Sequence, residues 1–350
     1  MVSTNKSTNV INYLLRYFKG ASELLPGSRP GFSHALKLSR TTIDPNRISV
    51  ITNNKDNHND SHQTRQPKHW TYRYQLSPHV PKYTLGLLTA LMDELSTDAV
   101  FRAGLPAAPG LSLQMQTEVV DRQRAQEYFQ DPTKSQLDII NTVAKLGKTI
   151  SHTRTEFRCP SSRALIAFSS HVKYMPSGSY ILDILFRHRQ WYDFYVNSSL
   201  RLTTPRVYEE KSLFQQVLLP QLQYHEDGMA DTTATTPTTT TPQATFLVTT
   251  EHTNPFGALH GGCHAMIMEQ VGVTYATKRL GVERENIFLE AIQVEYLSAG
   301  KQGPVDIYCE LLKEETSTLS PEKMVHVRVW IKLQKNGLTS SEGVLRLSIR

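Results

Sequence analysis

A glycine pair at the start of an apolar helix is the segment of the sequence most able to do chemistry. His260 precedes Gly261 and Gly262, Asn254 lies six residues ahead of His260, and apolar periodicity predicts a helix over 261–280. The first backbone N–H groups of a helix point at its N-terminus with the positive end of the helix dipole behind them. They can therefore bind an oxygen that gains negative charge, and glycine leaves room for its approach. The same glycines also fit an ordinary strand-to-helix turn.

The first half of the chain carries a carboxylate and a hydroxyl in a comparable setting. Asp93 lies in a predicted apolar helix over Tyr83–Gly104, and Ser112 lies in the strand-like segment Leu111–Val119. A carboxyl group with a perturbed pKa is a frequent component of functional sites. Each residue also has an ordinary interpretation, because Asp93 could be an exposed or capping residue and Ser112 could bond the backbone of its strand.

The elements that must position these residues occur in the same order in both halves of the chain. Each half has one long apolar helix followed by segments in which apolar and polar residues alternate. After Tyr83–Gly104 these segments are Leu111–Val119, Gln136–Val143, Thr149–Phe157 and Ala164–Val172; after Gly261–Leu280 they are Ile287–Tyr296, Val305–Leu312, Met324–Leu333 and Gly343–Ile349. Alternation predicts antiparallel strands with one buried face. The sequence therefore predicts an α+β architecture in which a long central helix is wrapped by an antiparallel sheet, twice.

The sequence predicts three parts of the chain, of which the last two are the repeated domains. A targeting segment or helix over 1–30 precedes an N-terminal domain over 31–176 and a C-terminal domain over 177–350. Each domain contains an insertion, at 53–66 in the first and at 226–243 in the second; the latter includes a stretch, 232–241, in which eight of ten residues are threonine. Insertions of this kind are tolerated in hairpin loops because the entropy of loop closure grows slowly with length.

Composition narrows the class of protein and of ligand. The mean hydropathy is −0.38, and no apolar run approaches the roughly 20 residues that a membrane-spanning helix needs. The three cysteines, Cys159, Cys263 and Cys309, are too widely spaced for a disulfide framework or a zinc site, so no metal is expected. The formal net charge of +6 is mild and scattered. It fits a polyanionic small molecule at least as well as nucleic acid, which we do not expect as a partner.

The first 22 residues are basic and contain no acidic residue. Their apolar residues fall on one face of a helix, at Ile11, Leu14, Leu15 and Phe18. This pattern is typical of a mitochondrial transit peptide, and it equally fits a first helix that packs on the domain. The expected location is therefore mitochondrial, with a cytoplasmic location as the alternative.

The segment Glu251–Gly262 resembles the hotdog-fold acyl-CoA thioesterases, in particular their small PaaI-like branch. In that family an asparagine six residues ahead of a His-Gly-Gly motif precedes the central helix. Leu87–Asp93 resembles the family's helix with its catalytic carboxylate, and Pro109–Leu113 resembles the next strand with its catalytic serine. Lys145–Thr149 and Ala167–Lys173 resemble the following hairpin and the last strand. In order, these matches cover most of both halves and imply a tandem, double-hotdog chain whose two domains pack as an intramolecular pseudo-dimer.

The resemblance also implies that only one catalytic site is complete. The family builds its site across a dimer, so one site of this chain would combine residues of both halves: Asp93, Ser112, Asn254, His260 and Gly261. In the opposite site the matching positions hold other residues, namely Pro78, Thr84, Leu85, Glu269 and Leu289. That second site should be inactive, although a site using Glu269 with His79 or Thr84 is an alternative.

The roles follow from the same resemblance. The N–H of Gly261 would polarise a thioester carbonyl, and Asp93 would act as general base or as nucleophile. Ser112 would hold the water or the carboxylate, Asn254 would orient the water or the carbonyl, and His260 would fix the loop.

Coenzyme A, as part of the substrate, is the only cofactor-like group expected. Four residues are candidates to meet its negative charges: Lys145, Gly147, Lys148 and Lys173. The alternative is a charged hairpin tip and a solvated strand end. Because family members pair their dimers, two chains are expected to self-associate.

Two other functions remain open. The chain could be a catalytically weak hotdog protein that serves a mitochondrial assembly as a structural or acyl-thioester-binding component. It could also be a hotdog hydratase or dehydratase. Those enzymes need a histidine with an aspartate a few residues before it in the same element, whereas His260 has Asn254 there.

Overall fold

The computed structural model describes residues 48–51, 68–75, 83–102, 111–131, 134–147, 149–174, 219–226, 241–249, 252–253, 258–316 and 323–350. Two long helices dominate this part of the chain, α1 (Leu85–Arg102) and α3 (Gly261–Leu280). Both are apolar around most of their circumference, and such helices must be buried rather than lie on a surface. One large core of buried apolar side chains accordingly extends through both halves, and a small separate cluster contains Ala99, Val100 and Val143.

The strands of the first half are β1 (Ile48–Ile51), β2 (Lys68–Gln75), β3 (Leu111–Val119), β4 (Gln136–Leu146), β5 (Ile150–Arg158) and β6 (Leu165–Tyr174). Those of the second half are β7 (Leu222–Tyr224), β8 (Ala244–Val248), β9 (Ile287–Tyr296), β10 (Gly303–Thr316), β11 (Lys323–Leu333) and β12 (Thr339–Ile349). They form one antiparallel sheet of 12 strands in the order β1-β2-β4-β5-β6-β3-β9-β12-β11-β10-β8-β7.

The two half-sheets meet at β3 and β9 and are related by an approximate twofold axis. Gln116 lies opposite Gln293 at the centre of this strand pair. From either edge of the sheet, the strands of each half follow one another in the same order, so that β1 corresponds to β7 and β3 to β9. Helix α1 packs against both the first half-sheet and α3. The antiparallel sheet and the long central helices confirm the predicted α+β hotdog fold, and the pairing of β3 with β9 is compatible with the predicted pseudo-dimer.

The predicted bounds agree closely for the long helices and less well elsewhere. Helix α1 is two residues shorter at each end than the predicted Tyr83–Gly104. A short 3-10 turn over Leu219–Gln221 precedes β7 and was not predicted. The segment 1–30, the insertion 53–66, most of the insertion 226–243 and the border at 176–177 lie outside the described residues.

One helix is absent from the sequence-based prediction. Helix α2 (Arg122–Gln130) follows β3, and the Asp121 carboxylate caps it by accepting a hydrogen bond from the Arg124 N–H at 3.0 Å. Only Ala125, Tyr128 and Phe129 are buried along it, so its apolar periodicity is weak. None of the described helices is both long and apolar enough to cross a membrane.

Candidate active site

The carboxylate of Asp93 lies where α1 meets the N-terminus of α3, and it is only 4% exposed. Its Oδ2 accepts a hydrogen bond from the N–H of Gly262 at 3.1 Å, and its Oδ1 accepts one from the Ser112 hydroxyl at 3.0 Å. Three residues that the sequence places in different halves and on different elements therefore meet at one carboxylate.

The close approach of the two helices requires glycine at the first position of α3. A Cβ atom built on Gly261 would lie 2.5 Å from Asp93 Oδ2 and 3.2 Å from Ser112 Oγ. The hydroxyl of Tyr296, at the end of β9, donates to the carbonyl of Gly261 at 2.8 Å and so holds the first turn of α3 in place. The first residue of a helix has no intrahelical partner for its N–H, so the Gly261 N–H is a candidate donor to a ligand at this end of α3.

His260 caps α3 and connects it to α1. Its Nδ1 accepts a hydrogen bond from the Gly262 N–H at 3.1 Å and lies 3.4 Å from Asp93 Oδ2, while its Nε2 lies 2.5 Å from Glu94 Oε1. Burial alone would lower the pKa of His260, but the carboxylates of Glu94 and Asp93 outweigh it and raise the pKa above its ordinary value. These carboxylates favour the imidazolium, in which Nδ1 carries a proton and faces Asp93 Oδ2 as a donor instead of accepting from Gly262.

Two residues of β6, His171 and Lys173, complete the surroundings of Asp93. The Lys173 ammonium lies 3.1 Å from Asp93 Oδ1 and also contacts the hydroxyl of Thr97. His171 Nε2 lies 3.0 Å from Ser112 Oγ, and its Nδ1 lies 2.7 Å from Ser96 Oγ. Since the Ser112 hydroxyl donates to Asp93, it must accept from His171, which places the imidazole proton on Nε2.

Electrostatics in this cluster favour an ionised carboxylate beside a neutral imidazole. Burial would raise the pKa of Asp93, but Lys173 and His260 hold it well below its usual range. Burial lowers the pKa of His171 far below that of a free imidazole, and Lys173 lowers it further. Asp93 is therefore an anion at neutral pH, although its lowered pKa makes it a weaker proton acceptor than an ordinary carboxylate.

Lys173, which was predicted to bind coenzyme A, forms an ion pair with Asp93 instead of lying at the surface. Lys173 is 5% exposed and is occupied by the ion pair with Asp93, so it is neither a solvated strand end nor a surface cation. The other residues of β6 explain why the sequence pattern does not predict that Lys173 is buried. The inward positions of β6 hold Ser169, His171 and Lys173, whereas the apolar residues Phe168 and Tyr174 face outward and are exposed.

The other predicted contacts to coenzyme A cluster at one end of the same half-sheet. Lys145 is exposed near the end of β4, and Gly147 donates its N–H to the carbonyl of Ile150 at 2.9 Å in the following hairpin. Ile150 pairs with Tyr174, which places the hairpin at the end of the sheet that carries the site. Lys148 and Asn254 lie outside the described residues, so their parts in the site stay predictions.

The opposite, twofold-related position shows the same backbone contact with different surroundings. The Gly86 N–H donates to Glu269 Oε2 at 2.8 Å, as the Gly262 N–H does to Asp93. The twofold axis relates each strand position of the first half to one of the second half. The positions related to Ser112, His171 and Lys173 hold Leu289, Leu345 and Leu347, respectively. The second position therefore keeps a carboxylate but has leucine where the first has a hydroxyl, an imidazole and an ammonium.

The resulting arrangement contains groups that suit acyl transfer. It combines an anionic carboxylate with a helix N-terminus that can stabilise a negatively charged oxygen. Among the described residues, no cluster of three or more His, Cys, Asp and Glu side chains could hold a metal ion.

Several solved structures are similar to this chain in fold. An acyl-ACP thioesterase from Bacteroides thetaiotaomicron is 11% identical with a TM-score of 0.47, and the match covers 80% of this chain and 97% of that chain. A 12:0-ACP thioesterase from Umbellularia californica is 6% identical with a TM-score of 0.48, covering 81% and 94%. An acyl-CoA thioesterase II from Mycobacterium marinum is 10% identical with a TM-score of 0.47, covering 80% and 91%. No protein-family model and no curated protein sequence matches the chain.

Proposed function

We propose that the chain is a thioester hydrolase that cleaves a fatty acyl-CoA, or a related acyl thioester, to the free acid and coenzyme A at one composite site between its two hotdog units. One observation carries this proposal. The buried Asp93 carboxylate, 4% exposed and paired with Lys173, lies against the N-terminus of α3 at Gly261 and Gly262.

The chemistry follows from which groups remain available to a substrate. The Gly262 N–H holds Asp93, so the N–H of Gly261 is the donor that can polarise the thioester carbonyl. In one route Asp93 takes a proton from water, the water oxygen attacks the carbonyl carbon, and coenzyme A leaves with that proton as the thiol. In the other, Asp93 attacks the carbon and forms an anhydride, coenzyme A leaves as a thiolate that is protonated by solvent, and water then hydrolyses the anhydride to the free acid. Loss of such an oxyanion donor typically costs about 100- to 1,000-fold in rate.

Ser112 and Lys173 act on Asp93 from the side opposite to α3. Ser112 donates to Oδ1 and orients the carboxylate, while Lys173 keeps it ionised in a buried position. This arrangement suits a group that must be an anion before the substrate arrives. It supports the role of base or nucleophile and not that of general acid, which requires a raised pKa.

Hydrolysis itself is the direct test of this proposal. The full chain is incubated with acyl-CoA esters of increasing length, and release of free thiol is followed. We expect thiol release that Asp93→Asn abolishes. A chain that binds acyl-CoA tightly but releases no thiol at any length would instead support the binding component of a larger mitochondrial assembly.

A second candidate, a hydratase acting on enoyl- or hydroxyacyl-thioesters, is favoured by one observation. The sequence lacks an aspartate beside His260 in the same loop, yet Asp93 of the other half lies 3.4 Å from His260 Nδ1. The two reactions are separable in one cuvette with an enoyl-CoA. Hydrolysis releases thiol, whereas hydration removes the enoyl absorbance and leaves the thioester intact.

Binding of the nucleotide end of coenzyme A is proposed for the hairpin that contains Lys145, Gly147 and Lys148. Lys145 is exposed at the end of the sheet that carries the site, which supports this assignment. We expect Lys145→Ala to raise KM for acyl-CoA several-fold and to leave KM for the matching acyl-pantetheine unchanged. An equal effect on both substrates would argue against a contact with the nucleotide.

Location and assembly form part of the same proposal. The first 22 residues are basic and contain no acidic residue, which supports a mitochondrial location. A fusion of residues 1–30 to a fluorescent protein tests this location. Pairing of two chains into a particle of four hotdog units is tested by light scattering of the purified protein. A monomer at working concentration would contradict that part.

A further inference from the structure

The two half-sheets present different chemistry to their central helices. Along β5 the buried, inward side chains Ser151, Thr153 and Thr155 alternate with outward ones. The strand pairing relates them to three buried valines of β11, Val325, Val327 and Val329. The change from apolar to hydroxyl-bearing side chains thus affects three successive inward positions of one strand.

The neighbouring strands show the same substitution. On β6, the inward residues Ser169, His171 and Lys173 correspond to Gly343, Leu345 and Leu347 of β12. On β4, the buried Asn141 corresponds to Cys309 of β10. At these register-related positions the first hotdog unit is polar inside, whereas the second is not.

Part of this polar set is satisfied internally. The Thr89 hydroxyl lies 2.8 Å from Thr117 Oγ1, which also receives the Ser169 hydroxyl at 2.8 Å. The Thr155 hydroxyl donates to Asn141 Oδ1. These groups need no ligand, because buried polar groups in native proteins are normally bonded in this way.

Three other polar atoms have no partner in the part of the chain that the structure describes. They are Ser151 Oγ, Thr153 Oγ1 and Asn141 Nδ2, on side chains that are 1%, 2% and 0% exposed. Leaving a buried donor unbonded is costly, and valine at the related positions of β11 shows that the fold accommodates an apolar replacement. Retained hydroxyls at such positions point to a molecule that bonds them.

The position of the unbonded atoms relative to Asp93 indicates which molecule that is. Ser151 pairs with Lys173 and Thr153 pairs with His171, so both lie on the strand next to the residues that contact Asp93. Neighbouring strands are about 4.8 Å apart. An acyl group whose carbonyl lies at Asp93 and whose chain runs beneath α1 would reach these hydroxyls within its first few carbons.

We propose that the inner face of the first hotdog unit, at Ser151, Thr153 and Asn141, is a subsite for a hydroxylated or oxo-substituted acyl chain. This inference rests on the proposed thioesterase function and specifies its substrate. A saturated chain leaves the three polar atoms unbonded, whereas an oxygen on the chain accepts from or donates to them. Sites built to bond a substrate oxygen reject analogues that lack it, because their own polar groups are then left unpaired.

The test compares kcat/KM of the full chain for 3-hydroxydecanoyl-CoA and 5-hydroxydecanoyl-CoA with that for decanoyl-CoA. We expect a preference of about tenfold or more for at least one hydroxylated substrate, the effect of roughly one hydrogen bond to an otherwise unpaired group. In the double variant Ser151→Ala/Thr153→Val the preference should fall to about threefold or less. Thr142→Val, which makes the same change on the outer face of β4, should retain it.

Equal kcat/KM for all three substrates in the wild type would overturn this inference, as would a preference that the double variant keeps. Equal values together with a lower Tm for Thr153→Val would mean that the hydroxyls hold buried waters instead. If the double variant does not fold, Thr153→Val alone is used, since valine occupies the related position 327. If no substrate is hydrolysed, the thioesterase proposal fails, and the Kd values of the same three thioesters decide the subsite by the same ratios.

Discussion

Replacing the two related carboxylates one at a time tests the single-site organisation most directly. Asp93→Asn keeps the shape of the side chain and removes its charge, and Glu269→Gln makes the same change at the twofold-related position. The two residues accept equivalent hydrogen bonds, from Gly262 at 3.1 Å and from Gly86 at 2.8 Å. Any difference between the variants therefore reflects the surroundings of the carboxylates.

Asp93→Asn should abolish most of the turnover. An amide can neither take a proton from water nor form the acyl intermediate, and loss of a positioned base alone costs about 100- to 10,000-fold. It should also destabilise the fold, because Lys173 at 3.1 Å is left as a buried, unpaired charge. Breaking one partner of a buried ion pair costs about 3–5 kcal/mol, or roughly 10 °C in Tm for a chain of this size.

A second substitution separates the two effects. In Asp93→Asn/Lys173→Met the unpaired ammonium is gone and an apolar side chain fills its place, so Tm should return most of the way to the wild-type value. Turnover should not return. Recovery of activity in this double variant would show that Asp93 acts only by neutralising Lys173.

Glu269→Gln is the matched control. The glutamine carbonyl can accept the same hydrogen bond from Gly86, and the related strand positions hold Leu289, Leu345 and Leu347. We expect turnover within about twofold of the wild type and a change in stability of about 1 kcal/mol or less. Turnover is measured as thiol release at a temperature below the Tm of every variant. Stability is measured by thermal unfolding. Equal losses of turnover in Asp93→Asn and Glu269→Gln would refute the single-site model.

Three further substitutions probe the groups around Asp93. Ser112→Ala should lower kcat about 10- to 100-fold with KM little changed, the effect of one hydrogen bond to a charged group, in a thiol-release assay; an unchanged kcat would remove Ser112 from the site. Gly261→Ala should lower turnover at least about 100-fold, since its Cβ would lie 2.5 Å from Asp93 Oδ2; full activity would place the substrate elsewhere. Because its carboxylate partners raise the pKa of His260, the His260 cation stabilises the fold below the free imidazole pKa of about 6.5, and this stabilisation is lost as pH rises through the raised value. Glu94→Gln lowers that pKa, so in Tm measured against pH the alkaline loss should begin at lower pH; superimposable profiles would contradict this.

The fold could be predicted from the sequence because its signals are long and redundant. The alternation in segments such as Ile287–Tyr296 and the unbroken apolar character of α1 and α3 each extend over two or more turns or strand repeats. Helix α2 could not be predicted in the same way. Its stability comes from the Asp121 cap and from three buried residues, which is too short a pattern to stand out.

The part of the site that could be predicted is the part in which the sequence resembles a family motif, at Asp93, Ser112, His260 and Gly261. Of these, Gly261 also has a physical reason in its own position, because it has no room for a side chain. His171 and Lys173 leave no readable pattern. They occupy the inward positions of a strand whose apolar residues, Phe168 and Tyr174, face solvent, and periodicity therefore assigns them to the wrong face.

The two units differ in how much their inward-facing strand residues contribute to stability. Fully burying one valine contributes about 1.5–3 kcal/mol, so the aliphatic residues of β11 and β12, such as Val325, Val327 and Leu345, stabilise the second unit. The first unit gives up that contribution where Ser151, Thr153 and His171 stand. It can do so because the strand pair β3–β9 and the contact between α1 and α3 join both units into one core. The aliphatic unit thus contributes stability to a common core that also contains the polar interior of the first unit.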